Sequence, residues 1–521
     1  MAMTVECFLT FSMELWSLIF LSISLLLAVG FLFNLPKTII KSGKKLPPGP
    51  PTIPILGNIL WLRKSPLDLE PILTNVHAKY GPIVTLQLCQ QTFIFIRSHS
   101  LAHQALIQKG STFSDRPPVV EVRRIITSNQ HNISSSAYGP LWRLLRRNLV
   151  SEILNPTRVK SYAPGRKWVL NLLIERLRCQ AESGKSVNVL ESFQYSMFNL
   201  LLLMCFGQKL HESDVKETKA LQQRLLMSAT AHSISTFLPM LGKIIFRKQW
   251  KDALAIRRRQ EELFIPLIRG RKNRNKPHEE GSLPFSYVDS LIELELLEEG
   301  GRKLTEGEMV TLCSEFLSAG TDTTSTLLQW IMANLVKHQD VQAKLVEEIE
   351  LVVGDGREDI EEEDLQQMSY LKAVIMEGLR RHPPAHFVLP HAVSEEVLLE
   401  GYTIPKNATV NFMVAEMGWD GNVWEEPMEF RPERFLGEGE GEAVVDITGS
   451  KEIKMMPFGA GRRICPGLGL AMLHVEYFVA NLVKEFEWTA VGGEEVDLAE
   501  KWQFTVVMKN PLKACISPRK K

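Results

Sequence analysis

The sequence predicts a mainly α-helical protein with small β-sheets, preceded by one N-terminal transmembrane helix. Three observations predict it. An uncharged apolar run, Leu15 to Phe33, lies near the start. Long stretches of helical periodicity dominate from about Pro140 to Arg380. Two short segments, "IVTLQLCQQTFIFI" and "EEVLLEGYTIPKNATVNFMV", read as β-hairpins.

The apolar run matches the ~20 residues that cross a bilayer core. Its N-terminal flank carries Glu6 and Glu14 and no Lys or Arg, unlike a signal peptide. Lys37, Lys41, Lys44 and Lys45 follow it. The positive-inside rule then keeps the body on the cytoplasmic side of an uncleaved anchor. Pro47, Pro48, Pro50 and Pro51 favour a stiff extended segment. The expected organisation is a lumenal tail and anchor over 1–36, a basic, proline-rich linker over 37–51, and one domain over 52–521. No linker divides that last stretch. With this topology the sequons at Asn132 and Asn407 never meet lumenal glycosylation, and both read as chance matches.

Hydrophobic residues make up 45% of the 521 and charged residues 23%, which suits a globular chain. Sixty basic residues balance sixty acidic ones, so no basic surplus marks a general nucleic-acid binder. The seven cysteines are odd in number and form no CxxC, which argues against a disulfide framework or a zinc ribbon. They suit a reducing compartment. Cys205, in "LLLMCFG", reads as a small core hydrophobe.

Cys465 is different. It sits in "PFGAGRRICPG", where glycines allow sharp turns and close backbone approach. A dinucleotide fingerprint fails, because Ile464 follows "GAGRR" and no strand leads in. A Walker loop fails for want of Gly-Lys-Ser/Thr. A metal ligand or a nucleophile remains. A nucleophile needs a base, which no local residue supplies, although the fold could bring one from elsewhere. The amphipathic run "LGLAMLHVEYFVANLVKEF" predicts a helix with Cys465 at its N-terminal end and Pro466 in its first turn. Free amides and the helix dipole there favour an anion and lower a thiol pKa. A single thiolate without a neighbouring His or Cys suits haem iron.

Phe458, Gly461, Arg463, Cys465 and Gly467 match the pattern FxxGxRxCxG, and on it the chain resembles the cytochrome P-450 superfamily. "PPGPP", "AGTDTT" and "LPHAVSEEV" are similar to plant microsomal members, most of all the plant family numbered 89. The resemblance covers nearly the whole chain. It implies the P-450 fold, haem b as cofactor, and Cys465 as the axial ligand of the haem iron. It implies that Phe458 shields the sulfur and that Arg463 pairs with a haem propionate. Trp142 and Arg146, in "WRLLR", resemble a propionate-binding pair, and His391 stands where a His or Arg often reaches the other propionate.

The run from Leu304 to His338 reads as one long helix, with Thr305 and Glu308 as its capping box. A mid-helix Gly costs ~1 kcal/mol relative to Ala. Threonines can also bond back to the i−4 carbonyl and bend a helix. "AGTDTT" is therefore expected to form a loosened groove. There Asp322 and Thr323 resemble the superfamily's acid–alcohol pair, the expected catalytic residues, which supply protons for oxygen activation. Glu377, Arg380 and Arg434 resemble its Glu-Arg-Arg core triad, a structural feature. One departure is Trp419-Asp420-Gly421, where relatives commonly read Arg-Asp-Pro, so a changed turn is expected.

The implied activity is insertion of one oxygen atom from O2 into an apolar or amphipathic organic substrate. Electrons come from NADPH through a separate flavoprotein reductase, since the chain carries no Rossmann or flavin motif. The implied location is the endoplasmic reticulum membrane, with lipid around the anchor and no nucleic-acid partner. Arg143, Arg147, Lys454 and Arg462 are expected to border the thiolate side and face the reductase. Val119 to Ser136, the region near Phe237, Phe387 to Leu389 and Phe504 to Val506 are expected to face the substrate. The alternatives are a haem-thiolate isomerase or dehydratase, which needs no acid–alcohol pair, and a non-catalytic haem-binding sensor.

Overall fold

The computed structural model describes residues 16, 20–25, 45–52, 58, 66–88, 91–183, 186–230, 247–273, 285–354, 357, 359–437 and 445–519. Most of the apolar run, Lys37, Lys41, Lys44, Phe237 and the Glu/Gly-rich insertion near Gly439 lie outside them. Of the run itself, Phe20 to Leu25 are helical, and Phe20, Leu21, Ile23 and Leu25 are exposed.

Helices dominate, as the periodicity predicts. In chain order the elements that position the site are α1 (Pro66–Tyr80), β1 (Ile83–Leu88), β2 (Gln91–Ile96), α2 (Pro140–Asn148), α3 (Ala163–Glu182), α4 (Val189–Phe206), α5 (Glu212–Thr230) and α6 (Arg247–Lys272). They continue with α7 (Glu306–Lys337), α8 (Gln339–Val353), α9 (Ser369–Arg381), β3 (His391–Ala392), β4 (Val397–Leu399), β5 (Tyr402–Ile404), β6 (Thr409–Phe412) and α10 (Leu468–Glu485).

α7 is the central beam. Its capping box is complete: Thr305 Oγ1 accepts from the Glu308 N–H, and Glu308 accepts from the Thr305 N–H. It packs against α4, α10, α6 and α9. α4 is long and apolar enough to cross a membrane, but 83% of that window is buried inside the protein. A helix apolar all round belongs in a core when neighbours cover it, and α3 and α7 do so here. Gly320 serves this packing, because a Cβ there would stand 2.8 Å from Leu201 Cδ1 of α4.

The first expected hairpin forms as β1–β2, with Ile83 opposite Ile96. The second differs from its expectation. Val397–Ile404 makes the hairpin β4–β5, but the following strand β6 leaves it and joins the first sheet, parallel to β2 and antiparallel to β3. The break falls at Pro405 to Asn407, where Asn407 takes φ +64° and its N–H reaches the Val393 carbonyl. The proline-rich segment also docks on these strands. Pro48 O accepts from Thr85 N–H at 2.8 Å, and Lys45 O accepts from Thr403 N–H at 2.8 Å. A Cβ at Gly49 would lie 1.9 Å from Thr85 O, so only glycine allows that approach.

Glu377 and Arg380 are fully buried one turn apart on α9. Arg380 Nε and Nη2 donate to the two carboxylate oxygens at 2.7 and 2.8 Å. Arg434 Nε donates to Glu377 Oε1 at 3.2 Å. Arg380 also donates to the carbonyls of Gly418, Pro427 and Glu429. The Trp419-Asp420-Gly421 turn keeps its order: Trp419 Nε1 donates to Arg381 O, and Asp420 Oδ1 accepts from the Asn422 N–H and side chain.

Candidate active site

The Cys465 loop folds as its glycines require. Gly459 and Gly461 both take φ +70°, and a Cβ on Gly461 would collide with Leu106 O at 2.1 Å. The Cys465 N–H donates to Phe458 O at 2.9 Å, which closes the loop. One expectation is corrected here. α10 begins at Leu468, so Pro466 and Gly467 form a turn ahead of the helix instead of its first turn. Gly461 to Arg463 already make a short 3-10 turn, and the chain needs Pro466 and Gly467 to redirect into α10.

Burial pushes the Cys465 thiol up, while the Gly467 N–H and the Arg146 charge pull it down. Burial is the larger effect, so the thiol lies above its ordinary value, against the lowering that a helix end alone would favour. A coordinated metal deprotonates a thiol outright.

Three guanidiniums gather beside this loop. Arg146 Nη2 donates to Ile464 O at 2.6 Å. Arg463 donates to the carbonyls of Ser114 (2.8 Å), Ile133 (3.2 Å) and Ser136 (2.7 Å). Arg116 donates to Ser134 O (2.9 Å), Leu389 O (2.8 Å) and Pro390 O (2.9 Å). These bonds all go to backbone carbonyls. The nearby carboxylates have other partners. Asp115 Oδ1 takes the N–H groups of Arg116 and Tyr138, and Glu315 takes those of Ile133 and Ser134 with the Asn132 amide. Asn132 is thus a buried structural residue.

The electrostatics follow. Burial draws Arg463 down to about 10. Burial and the Arg463 charge draw Arg116 down to about 9. His391, whose Nδ1 donates to Phe113 O at 2.6 Å, is pushed down to about 3 by burial and then by Arg116. The Trp142 ring lies 4.4 Å from the Arg463 guanidinium and 5.5 Å from that of Arg146, and its buried Nε1 has no acceptor among the described residues. Ser136 Oγ is likewise buried without a partner. An under-neutralised cationic rim with orphaned donors suits an anionic group, and two propionates of a haem match it.

Asp322 and Thr323 sit elsewhere on α7. Thr323 Oγ1 donates back to Ala319 O at 2.6 Å, and Thr321 Oγ1 to Leu317 O at 2.7 Å, as expected of threonines in a helix. Asp322 faces α4 and α5: its Oδ1 accepts from Gln194 Nε2 at 3.3 Å. Burial raises its carboxyl to about 6, against the pull of Lys219. No hydrogen bond joins the two neighbours, which point about 100° apart around a helix of 3.6 residues per turn.

Arg116 and Glu315 were not foreseen. A single Arg in "FSDRPP" carries no local signal, and only the tertiary fold shows that it shares a rim with Arg463. Phe504 to Val506 are pinned to α7, because Thr326 meets Thr505 at 2.9 Å and Trp330 Nε1 donates to Val506 O at 2.9 Å.

A glycine-bound cysteine loop, a cationic rim and a helical beam on this fold define the class of haem-thiolate proteins. The cytochrome P450 family model matches residues 47–516, and the chain belongs to that family of haem-dependent oxidoreductases. It is 48% identical over 520 residues to cytochrome P450 89A9 of Arabidopsis thaliana, covering 98% of this chain and 100% of that one. It is 31% identical to the flavonoid 3'-monooxygenase CYP75B137 of Crocosmia x crocosmiiflora, over 91% of this chain and 92% of that one. It is also 31% identical to geraniol 8-hydroxylase of Swertia mussotii, over 95% and 99%. The fold matches a zebrafish cytochrome P450 solved with progesterone, with a TM-score of 0.71 at 23% identity, over 87% of this chain and 99% of that one.

Proposed function

We propose that the protein is a membrane-anchored monooxygenase that inserts one oxygen atom from O2 into a small apolar or amphipathic organic molecule. NADPH supplies the electrons through a separate flavoprotein reductase. The observation that carries the reading is the cationic rim of Arg116, Arg146 and Arg463 around the orphaned Trp142 Nε1, beside Cys465. Haem, when bound, would supply the redox-active iron for oxygen chemistry. The chain's own residues do the rest. Cys465 would ligate the metal, Phe458 would cover the sulfur, and Trp142, Arg146, Arg463, Arg116 and His391 would hold the propionates. Asp322, with a carboxyl that titrates near 6, takes up and releases protons close to neutral pH. The Thr323 hydroxyl holds a water that passes them on.

The relatives support the substrate class, since their names record hydroxylation of geraniol and oxygenation of a flavonoid. The exposed side chains of Phe20, Leu21, Ile23 and Leu25 support an anchor; the endoplasmic reticulum membrane as its location and a cytoplasmic body are part of the same proposal. Protease treatment of intact microsomes checks this. The body is digested if the topology holds, and its protection rejects it. For the reductase, Arg143 and Arg462 both lie over the Tyr138 ring, at 5.7 and 5.5 Å, and Arg147 and Lys454 are exposed nearby in sequence. The central test is turnover of plant metabolite extracts by the full chain with a reconstituted reductase. NADPH-dependent oxygen incorporation is expected, and product formation without NADPH would favour the isomerase.

A further inference from the structure

Asp322 is held from behind by a chain of amides. Gln194, on α4, gives its Nε2 to Asp322 Oδ1 at 3.3 Å. Its Oε1 accepts from Gln223 Nε2 of α5, also at 3.3 Å. An amide can face a carboxylate only with its NH2 end, and Gln223 fixes that choice by occupying the oxygen. Lys219 lies one turn before Gln223 on α5, so both side chains meet the same cleft. Gln222, Ser318, Thr321 and Asp322 complete its polar lining. Gln222 Oε1 accepts from Ser314 and Ser318, while its buried Nε2 has no partner among the described residues, which leaves a polar atom for water.

We infer that Gln194 is a positioning residue for Asp322, whose carboxylate it holds on the α4–α5 side of the helix, with Gln223 setting the orientation of its amide. The inference rests on the proposed role of Asp322 as proton donor. It adds a residue from a different helix, which no motif marks. A hydrogen bond donated to a carboxylate favours its charged form. Burial raises the Asp322 carboxyl and the Lys219 charge acts against it; the Gln194 amide, 3.3 Å from Oδ1, is placed to add to that pull. The other charges act one step back: Glu191 of α4 and Arg176 of α3 influence Lys219, in opposite senses.

An infrared pH titration of the full haem-loaded chain tests this without any substrate. The protonated-carboxyl band that disappears in Asp322→Asn is the probe. Gln194→Met keeps the size and removes the donor, and its midpoint is expected to rise by ~0.5–1 unit, a three- to tenfold change in proton affinity. Gln194→Glu adds a like charge and should raise it further. Gln223→Met should raise it by less. An unmoved midpoint in Gln194→Met, with a normal thiolate ferrous–CO band, overturns the inference. If that variant loses the band, the decision passes to Gln223→Met, where an unmoved midpoint overturns it. A shifted midpoint together with undiminished NADPH consumption and product formation in Asp322→Asn would keep Gln194 as the positioning residue and remove the proton-donor reading.

Discussion

Two arginine clusters in this molecule, one buried and one half-buried, are completed in opposite ways. Around Glu377, two guanidiniums share one carboxylate, and backbone carbonyls take their remaining donors. Beside Cys465, among the described residues, three guanidiniums share no carboxylate through a hydrogen bond, and an indole N–H has no acceptor. The first is complete in the chain alone. The second is complete only with an anion. Buried charge that is paired is architecture, and buried charge left short of partners marks a place for a ligand.

Cys465→Ala should break the comparison most visibly. The red-shifted ferrous–CO band should vanish, while far-ultraviolet dichroism stays close to that of the parent chain. A retained band would mean another residue ligates the iron.

Glu377→Ala attacks the other cluster. It leaves Arg380 and Arg434 without their carboxylate and should cost ~3–5 kcal/mol in urea unfolding. Arg116→Gln should instead lower haem retention, with a smaller loss in unfolding free energy. Equal losses of stability in the two variants would erase the distinction between the clusters.

Thr323→Ala should uncouple NADPH consumption from product, with peroxide rising as product falls. Acid–base assistance of this kind is worth about 10²–10⁴-fold. Asp322→Asn should lower consumption and product together. It carries a stability signature as well. The folded carboxyl is raised to about 6, so it favours the fold below its unfolded value near 4 and loses that contribution as pH rises through 6. Asp322→Asn should therefore gain stability relative to the parent at pH 7.5 and show no gain at pH 4.

The smallest effect is kinetic. Charge reversal at Arg143 and Arg147 should slow reduction by the reductase and flatten its dependence on ionic strength, since rim charges act mainly on association rate. Unchanged rates across a salt series would place the docking face elsewhere.

The sequence announced some of this and concealed the rest for physical reasons. The Cys465 loop was legible because its function needs fixed spacing: glycines where φ is positive, and a thiol at the entry to a helix. The capping box of α7 was legible because it is local. Arg116, Glu315 and Gln194 were not, because each acquires its role from a partner 128 to 273 positions away in sequence, and nothing beside it in the chain marks that partner. The strand β6 was misplaced because alternation identifies a strand without naming its neighbour. The start of α10 shifted because Pro-Gly serves equally well to open a helix or to turn ahead of one.

The docking of Lys45 to Pro48 has a mechanical consequence. Its hydrogen bonds to Thr403 and Thr85 hold the segment against two separate strands, and Gly49 lets it lie flush. A pull on the chain at Lys45 is therefore shared between β5 and β1 and does not simply peel a loop. The two strands belong to different sheets, so a load entering at this segment is spread like one through a bolted bracket.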